Sequence, residues 1–411
     1  MKVLFLSYNG LLEPILPSQA LPYLKGLTGS DYEFILLTYE KKKDLDRVGA
    51  AAIKELKEGL KQDGIEWYHL RYHKSPPVLS TIFDLIVGSL KTFFLIKSAH
   101  VKIVHVRGVT PGVIMIMLSK LLRVKILFDM RGLLAEEYVG GGMWKTDSLQ
   151  FRLVKRAEKK LLTIADAVTV LTQKHFDLNR SLDYLEKRNI PMEVIPCCVD
   201  TTKFDYEESS GIGLRDSIGL KNKFVLMYPG KLGSFYYIDE MIAFFGSMIK
   251  MIPEAVLFVV TNDDPKIVID RTEALNIPKD KVFIKTNVAF DKMPSYMRLA
   301  DTGIFFINPY NKFGSSPIKM GEFLASGVPV IINPGVGDTE ELVRVNRVGV
   351  VVNKFDEKDF KLAVDELLNL KKEGENLRAR CRDTAKKHLS KDEAIIKYAE
   401  IYKVLSSAES Q

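Results

Sequence analysis

The chain has 411 residues, 46% of them hydrophobic and 27% charged, with a net charge of +7. At ~150 residues per domain this length gives two to three domains, and the apolar content excludes a chain disordered over most of its length. The mild positive excess suits an anionic substrate or a membrane surface and does not call for nucleic acid, while Cys197, Cys198 and Cys381 are too few for a disulfide framework and form no Cys-x-x-Cys zinc pair.

MKVLFLSYNG is too short for the apolar region of a signal peptide and reads as a first buried strand, Lys2–Ser7. Further strands are predicted at Glu33–Thr38, Glu66–Leu70, Lys102–Val106, Lys125–Asp129, Ala167–Leu171 and Glu193–Pro196. Most are continuous apolar runs, as expected of strands covered on both faces. Helical patterns such as Thr110–Leu122 and Leu149–Ile164 stand between them, which gives a βαβ rhythm. The polar stretch Asp200–Leu220, with Ser209, Ser210, Gly211 and Gly213, reads as a linker. The rhythm then restarts with strands Phe224–Tyr228, Ala255–Thr261, Lys281–Lys285, Gly303–Ile307, Val328–Ile332 and Val348–Val352, and with helices Ile238–Met251, Pro294–Ala300 and Ile318–Ala325. From Asp356 onward the chain is helical and charged. The longest apolar stretch, Ile82–Ile96, is broken by Asp84 and Lys91 and falls short of the ~20 residues of a membrane span. The wider Ile82–Lys97 segment fits either a buried helix or one facing a membrane, helped by Lys41–Lys43, Lys54, Lys57 and Lys61. Two α/β halves with parallel sheets imply a cleft, with ligands at the carboxyl ends of the strands.

Three segments carry chemistry. In NKFGSSPIKMGEFLASGVPV (Asn311–Val330), Ser315, Ser316 and Pro317 open a helix bearing Ile318, Lys319 and Glu322. Backbone N–H groups and the dipole at such a helix start form an anion site suited to a diphosphate. The serines are expected to cap the first turn, and Glu322 can accept hydrogen bonds from ribose hydroxyls. A capped structural helix explains the same residues. In YPGKLGSFYY (Tyr228–Tyr237), a strand ends in a turn with Gly230 and Gly233, and Lys231 adds positive charge. In FDMRGLLAEEYVGGG (Phe128–Gly142), Asp129, Arg131 and Glu136 follow a central strand, and an Arg131 salt bridge to Glu136 or Glu137 is the structural alternative. VHVRG adds His105 and Arg107 at another strand end. The one Asp-x-Asp, Asp44–Asp46, sits in the charged run KKKDLDR and reads as a solvated helix face, so no metal is expected.

ADAVTVLT (Ala165–Thr172), VIPCCVDTTKF (Val194–Phe204), LADTGIFFINP (Leu299–Pro309) and SSPIKMGEFLASGVPVI (Ser315–Ile331) occur in an order that resembles the retaining glycosyltransferases of family 4. SQ-x-LPYL from Ser18, D-x-RG from Asp129, G-x-LG-x-x-Y from Gly230 and GVGD from Gly335 make it most similar to bacterial sugar transferases of surface-polysaccharide pathways. The resemblance implies the GT-B architecture: two Rossmann-like doubly wound parallel-sheet domains facing a cleft. These are an acceptor domain at 1–203, a nucleotide-sugar domain at 204–385, and a last helix, 386–411, returning to the first domain. It implies Arg131, Lys231 and Glu322 as catalytic residues. Gly230, Gly233, Ser315, Ser316, Pro317, Ile318 and Lys319 would bind the donor diphosphate, and Ser18, Gln19, Arg107, Asp129 and Glu136 would face the acceptor. The expected substrates are a nucleotide sugar and a lipid-linked or oligosaccharide acceptor, without metal or other cofactor. The expected place is the cytoplasm, at the inner face of the plasma membrane through peripheral contact. The chain departs from the family pattern at three points. Gly314 stands where many members have a Glu eight residues before Glu322, Lys231 stands for an Arg, and Arg131 stands for a His. A nucleotide-sugar epimerase and a non-catalytic scaffold are the alternative functions for such a chain.

Overall fold

The computed structural model describes residues 1–29, 32–186, 188–205, 212–233, 235–311 and 313–407. The expected linker residues Ser209, Ser210 and Gly211 lie outside them. The chain divides into one unit of residues 1–196 and 391–411 and a second of residues 197–390. The first division precedes the expected 203/204 because Cys197 and Val199 already bond within the second unit, to Ser316 Oγ and to the Leu389 carbonyl. The second follows 385/386 because the helix Glu375–Leu389 buries Leu377, Cys381, Ala385 and Leu389 in the second core.

The first unit holds seven strands: β1 (Lys2–Ser7), β2 (Glu33–Glu40), β3 (Ile65–Arg71), β4 (Ile103–Arg107), β5 (Lys125–Met130), β6 (Ala167–Val170) and β7 (Met192–Val194). Their order is β3-β2-β1-β4-β5-β6-β7, and every pairing is parallel. The second unit holds β8 (Phe224–Pro229), β9 (Ala255–Val260), β10 (Val282–Lys285), β11 (Thr302–Phe305), β12 (Val330–Ile332) and β13 (Gly349–Val351), in the order β10-β9-β8-β11-β12-β13, again parallel. Both are doubly wound Rossmann-like sheets, with the strand order reversing between β1 and β4 in one and between β8 and β11 in the other. Apolar runs such as AVLFVV in β9 are buried at every position, because helices cover both sheet faces.

The predicted strands all form, β1 with the predicted ends and the others with shifted ends. β12 starts after Pro329, which has no N–H for the ladder and instead accepts from Gly303 N and Thr302 Oγ1. β11 stops before Ile307, whose N–H and carbonyl are both taken by the Asn333 side chain at 2.7 and 2.9 Å. The polar stretch read as a linker contains helices Thr201–Phe204 and Ile212–Ser217. The helix Pro77–Ala99 is longer than the apolar stretch predicted and is long and apolar enough, by length and composition, to cross a membrane. Asp84 does not interrupt its outward face, because that carboxylate is buried and accepts from Tyr8 Oη and His73 N, both at 3.0 Å.

Candidate functional site

The switch point of the second unit is closed by its own loops. The residues after β8 run antiparallel to those after β11: Tyr237 N donates to the Phe306 carbonyl at 3.0 Å and Asn308 N to the Phe235 carbonyl at 2.8 Å. Phe235 and Tyr310 stack at 4.4 Å across this join. The turn after β8 is fixed from two sides. Tyr228 Oη donates to the Lys231 carbonyl, and Leu232 N donates to Asp263 Oδ2 at 2.6 Å. Gly230 and Gly233 have φ of +136° and +105°, conformations that favour glycine. The Lys231 side chain stays exposed at the rim.

Lys319 lies on the helix Ile318–Ala325 and reaches back to this turn. Its Nζ is 3.8 Å from the Tyr236 ring centroid and 4.6 Å from that of Tyr228. A Cβ placed on Gly230 would stand 2.9 Å from the ammonium, at the movable end of the Lys319 side chain, so it is φ that requires glycine there. Lys319 is 6% exposed and its Nζ has no hydrogen-bond partner. Burial pushes its pKa down to about 7 against the opposing charge of Glu322. Glu322, one turn along and also buried, is pushed up to about 7 by burial, with Lys319 acting against the shift. A buried cation whose neighbouring carboxyl, Glu322, is itself pushed towards the neutral form is costly in the free protein.

The helix start supports the same chemistry by a route the sequence did not show. The expected serine caps are absent. Pro317 occupies the cap position with no side-chain hydrogen bond, and Ser316 Oγ accepts from Cys197 N at 3.0 Å instead. The first-turn amides of Ile318 and Lys319 therefore meet no side-chain cap beside the Lys319 ammonium. Gly230, Lys319 and Glu322 come together, with Lys231 and Gly233 in the same turn and Ser315–Pro317 leading into the helix. Sequence reasoning missed Tyr228 and Tyr236, which look like ordinary core aromatics.

In the first unit, Arg107, Asp129 and Arg131 also meet, but inside the protein. Asp129 is 1% exposed and accepts from Arg107 Nη1 at 3.0 Å and Thr169 Oγ1 at 2.9 Å, with Arg131 Nη1 at 3.5 Å and His105 Nε2 at 3.6 Å. Burial would raise its pKa, but Arg131, His105 and Arg107 together hold it well below the usual carboxylate range. His105 Nδ1 lies 2.6 Å from Tyr402 Oη, on the last helix, Lys391–Ser407. Arg131 thus pairs with Asp129. Glu136 pairs with Lys155 at 2.9 Å, and Lys155 also holds the buried Glu158 at 2.6 Å. Gln19 is buried on the short helix Ile15–Gln19, and Ser18 Oγ donates to the carbonyls of Pro14 and Ile15. A residue not foreseen, Glu40, ends β2 fully buried and accepts from the amides of Leu11 and Leu12, which fixes the loop that follows β1. Among the described residues no group of three or more His, Cys, Asp or Glu side chains could hold a metal ion.

Residues 214–388 match the family model described as glycosyl transferases group 1. No curated protein matches the chain. Solved structures share its architecture at low identity. Sucrose-phosphate synthase from Thermosynechococcus elongatus aligns with a TM-score of 0.74 at 16% identity, covering 99% of this chain and 100% of its own. HepE from Anabaena, solved in complex with UDP, aligns at 0.70 and 16% identity over 99% and 100%. WaaG, a glycosyltransferase involved in lipopolysaccharide biosynthesis, aligns at 0.66 and 13% identity over 96% and 98%. The matched segment contains the β8 turn, the aromatic pocket and the Lys319–Glu322 helix, so residues 214–388 are a glycosyl transferases group 1 domain in a chain with the GT-B fold of two Rossmann-like domains.

Proposed function

We propose that the protein is a retaining hexosyltransferase of family 4. It moves a sugar from a nucleotide-sugar donor to a lipid-linked saccharide in cell-surface polysaccharide synthesis, at the inner face of the plasma membrane. The observation that carries the donor side is the buried, unpartnered Lys319 ammonium at the uncapped helix start, inside a glycosyl transferases group 1 domain. The relatives' names supply the rest by likeness, since HepE was solved with UDP and WaaG serves lipopolysaccharide synthesis.

In this reading the donor diphosphate takes the place of the missing anion. Lys319 and the first-turn amides receive the charge that grows on the leaving phosphate, Lys231 closes on it from the rim, and Glu322 accepts from the ribose hydroxyls. The acceptor hydroxyl attacks the anomeric carbon on the face the diphosphate leaves, and its proton passes to the departing phosphate.

Thermal shifts with UDP, GDP, ADP and their sugar conjugates, with and without magnesium, test this reading. One nucleotide at ~100 times its Kd should stabilise the protein by ~2.7 kcal/mol, and Glu322→Ala should lose that gain. No stabilisation by any nucleotide would put the scaffold reading first.

A second expectation concerns protons. An arriving diphosphate favours charged Lys319 and raises its pKa above about 7. Binding above that pH therefore takes up a proton, and Kd rises by up to about tenfold per pH unit until the pKa of the complex is reached. Calorimetry at about pH 8 in buffers of different ionisation enthalpy should show uptake approaching one proton per nucleotide. A Kd that stays flat across neutral pH would remove Lys319 from the anion site.

A further inference from the structure

The helix Pro77–Ala99 presents an apolar stripe that nothing in its unit covers. Val78, Leu79, Ile82, Phe83, Ile86, Leu90 and Phe94 are all about half exposed or more, with Leu79 at 66% and Phe94 at 65%. At about 100° per residue they fall within an arc of about 160°. Met117 and Leu121, at the end of the neighbouring helix Val109–Leu118 and just beyond it, are exposed as well, Leu121 at 67%.

The charge around this stripe is one-sided. From Arg71 to Lys125 the sequence carries nine Lys and Arg residues and a single acid, the buried Asp84; Arg107 is buried against Asp129 and Lys125 pairs with Asp166, which leaves seven. Where the helix ends, a cavity of about 330 Å³ is lined by Lys97, His100, Lys102 and Arg123, and the exposed Leu121 forms part of its wall. The basic hollow and the apolar stripe thus share an edge.

The opposite face of the helix is fixed to its own unit. Tyr39 Oη donates to the Asp84 carbonyl at 2.8 Å, the Asp84 carboxylate holds Tyr8 and His73, and Gly88 lies against Tyr39 and Ile114. A bilayer-spanning position would break these bonds, whereas lying flat on a surface keeps them.

We infer that this helix face docks in the plane of a bilayer rich in anionic lipid, with the stripe in the acyl boundary and a lipid phosphate in the Lys97–Arg123 hollow. This deepens the membrane-face part of the function proposed above and rests on it for its setting. A neutral surface would leave the basic hollow without a partner, and a water-soluble phosphopeptide would leave the stripe uncovered.

The test is flotation of the full chain with phosphatidylcholine vesicles, pure or mixed with phosphatidylglycerol. Wild type should float with the mixed vesicles and not with the pure ones. Leu90→Glu with Phe94→Glu should abolish flotation, and Lys97→Glu with Arg123→Glu should weaken it at least about fivefold per reversed charge. Both double variants should keep the wild-type circular-dichroism melting curve, because the altered side chains face solvent. Equal flotation on pure phosphatidylcholine, or none on either, would overturn the inference. So would a wild-type dimer that the Leu90/Phe94 variant turns into a monomer, because a second copy would then be the occupant. Nucleotide binding measured without vesicles reports on the donor site separately. Its absence would sink the transferase reading and leave the vesicle result standing.

Discussion

Lys319→Met should make the nucleotide-free protein more stable while lowering kcat by about 100- to 1000-fold. The two signs come from one cause. The ammonium is buried, has no hydrogen-bond partner, lies over two tyrosine rings and is opposed by Glu322, a carboxyl that burial pushes towards its neutral form. Cation–π contact contributes about 0.5–2 kcal/mol, whereas desolvating an ammonium costs several kcal/mol. The free protein therefore carries a net penalty that methionine, of similar length and uncharged, removes. In the proposed function that penalty is preorganisation: an arriving diphosphate would find the charge already in place and water already gone. Losing it removes stabilisation of the leaving group and leaves Glu322 without its counter-charge, more strongly held in the neutral form. A rise in Tm with collapse of turnover identifies a charge kept for a ligand. A fall in Tm with turnover intact would make Lys319 a structural cation of the aromatic pocket.

Much of this architecture was legible because parallel strands covered on both faces leave an unbroken apolar signal. Most of the thirteen strands stood out in this way, the edge strands β3, β7 and β10 being only partly buried, and the helices Leu149–Ile164, Ile238–Met251 and Ile318–Ala325 have the predicted ends. What escaped depends on partners distant in sequence. That Lys319 is buried follows from Tyr228 and Tyr236, more than eighty residues earlier. That Ser316 does not cap its helix follows from the amide of Cys197 competing for its oxygen across 119 residues. That the Pro77–Ala99 helix shows an apolar face outward cannot be read from composition, since a buried helix and an interfacial one have the same residues. Asp129, Arg107 and Arg131 looked like a substrate site because charges at a strand's carboxyl end are common there, and only the fold shows them facing one another.

Asp129→Ala should cost the first unit about 3–5 kcal/mol, equivalent to a fall of roughly 10 °C in its Tm. The buried carboxylate faces two guanidiniums and His105, and it also accepts from Thr169. Without it, the two guanidiniums lose the carboxylate they share at the centre of the cluster. The disturbance then reaches the last helix, because His105 is packed against the Tyr398 and Tyr402 rings and bonded to Tyr402 Oη. The Asp129 pKa is held below its unfolded value, so its contribution is present above that value, near pH 4, and is lost as pH falls through the folded pKa. The stability gap between wild type and Asp129→Ala should accordingly be full at neutral pH and narrow only in strong acid. Nucleotide binding should stay as in wild type wherever the variant is folded, since the proposed donor pocket belongs to the other unit. The opposite pattern, an unchanged melting curve with acceptor KM raised many-fold, would return Asp129 to the acceptor site that the sequence suggested.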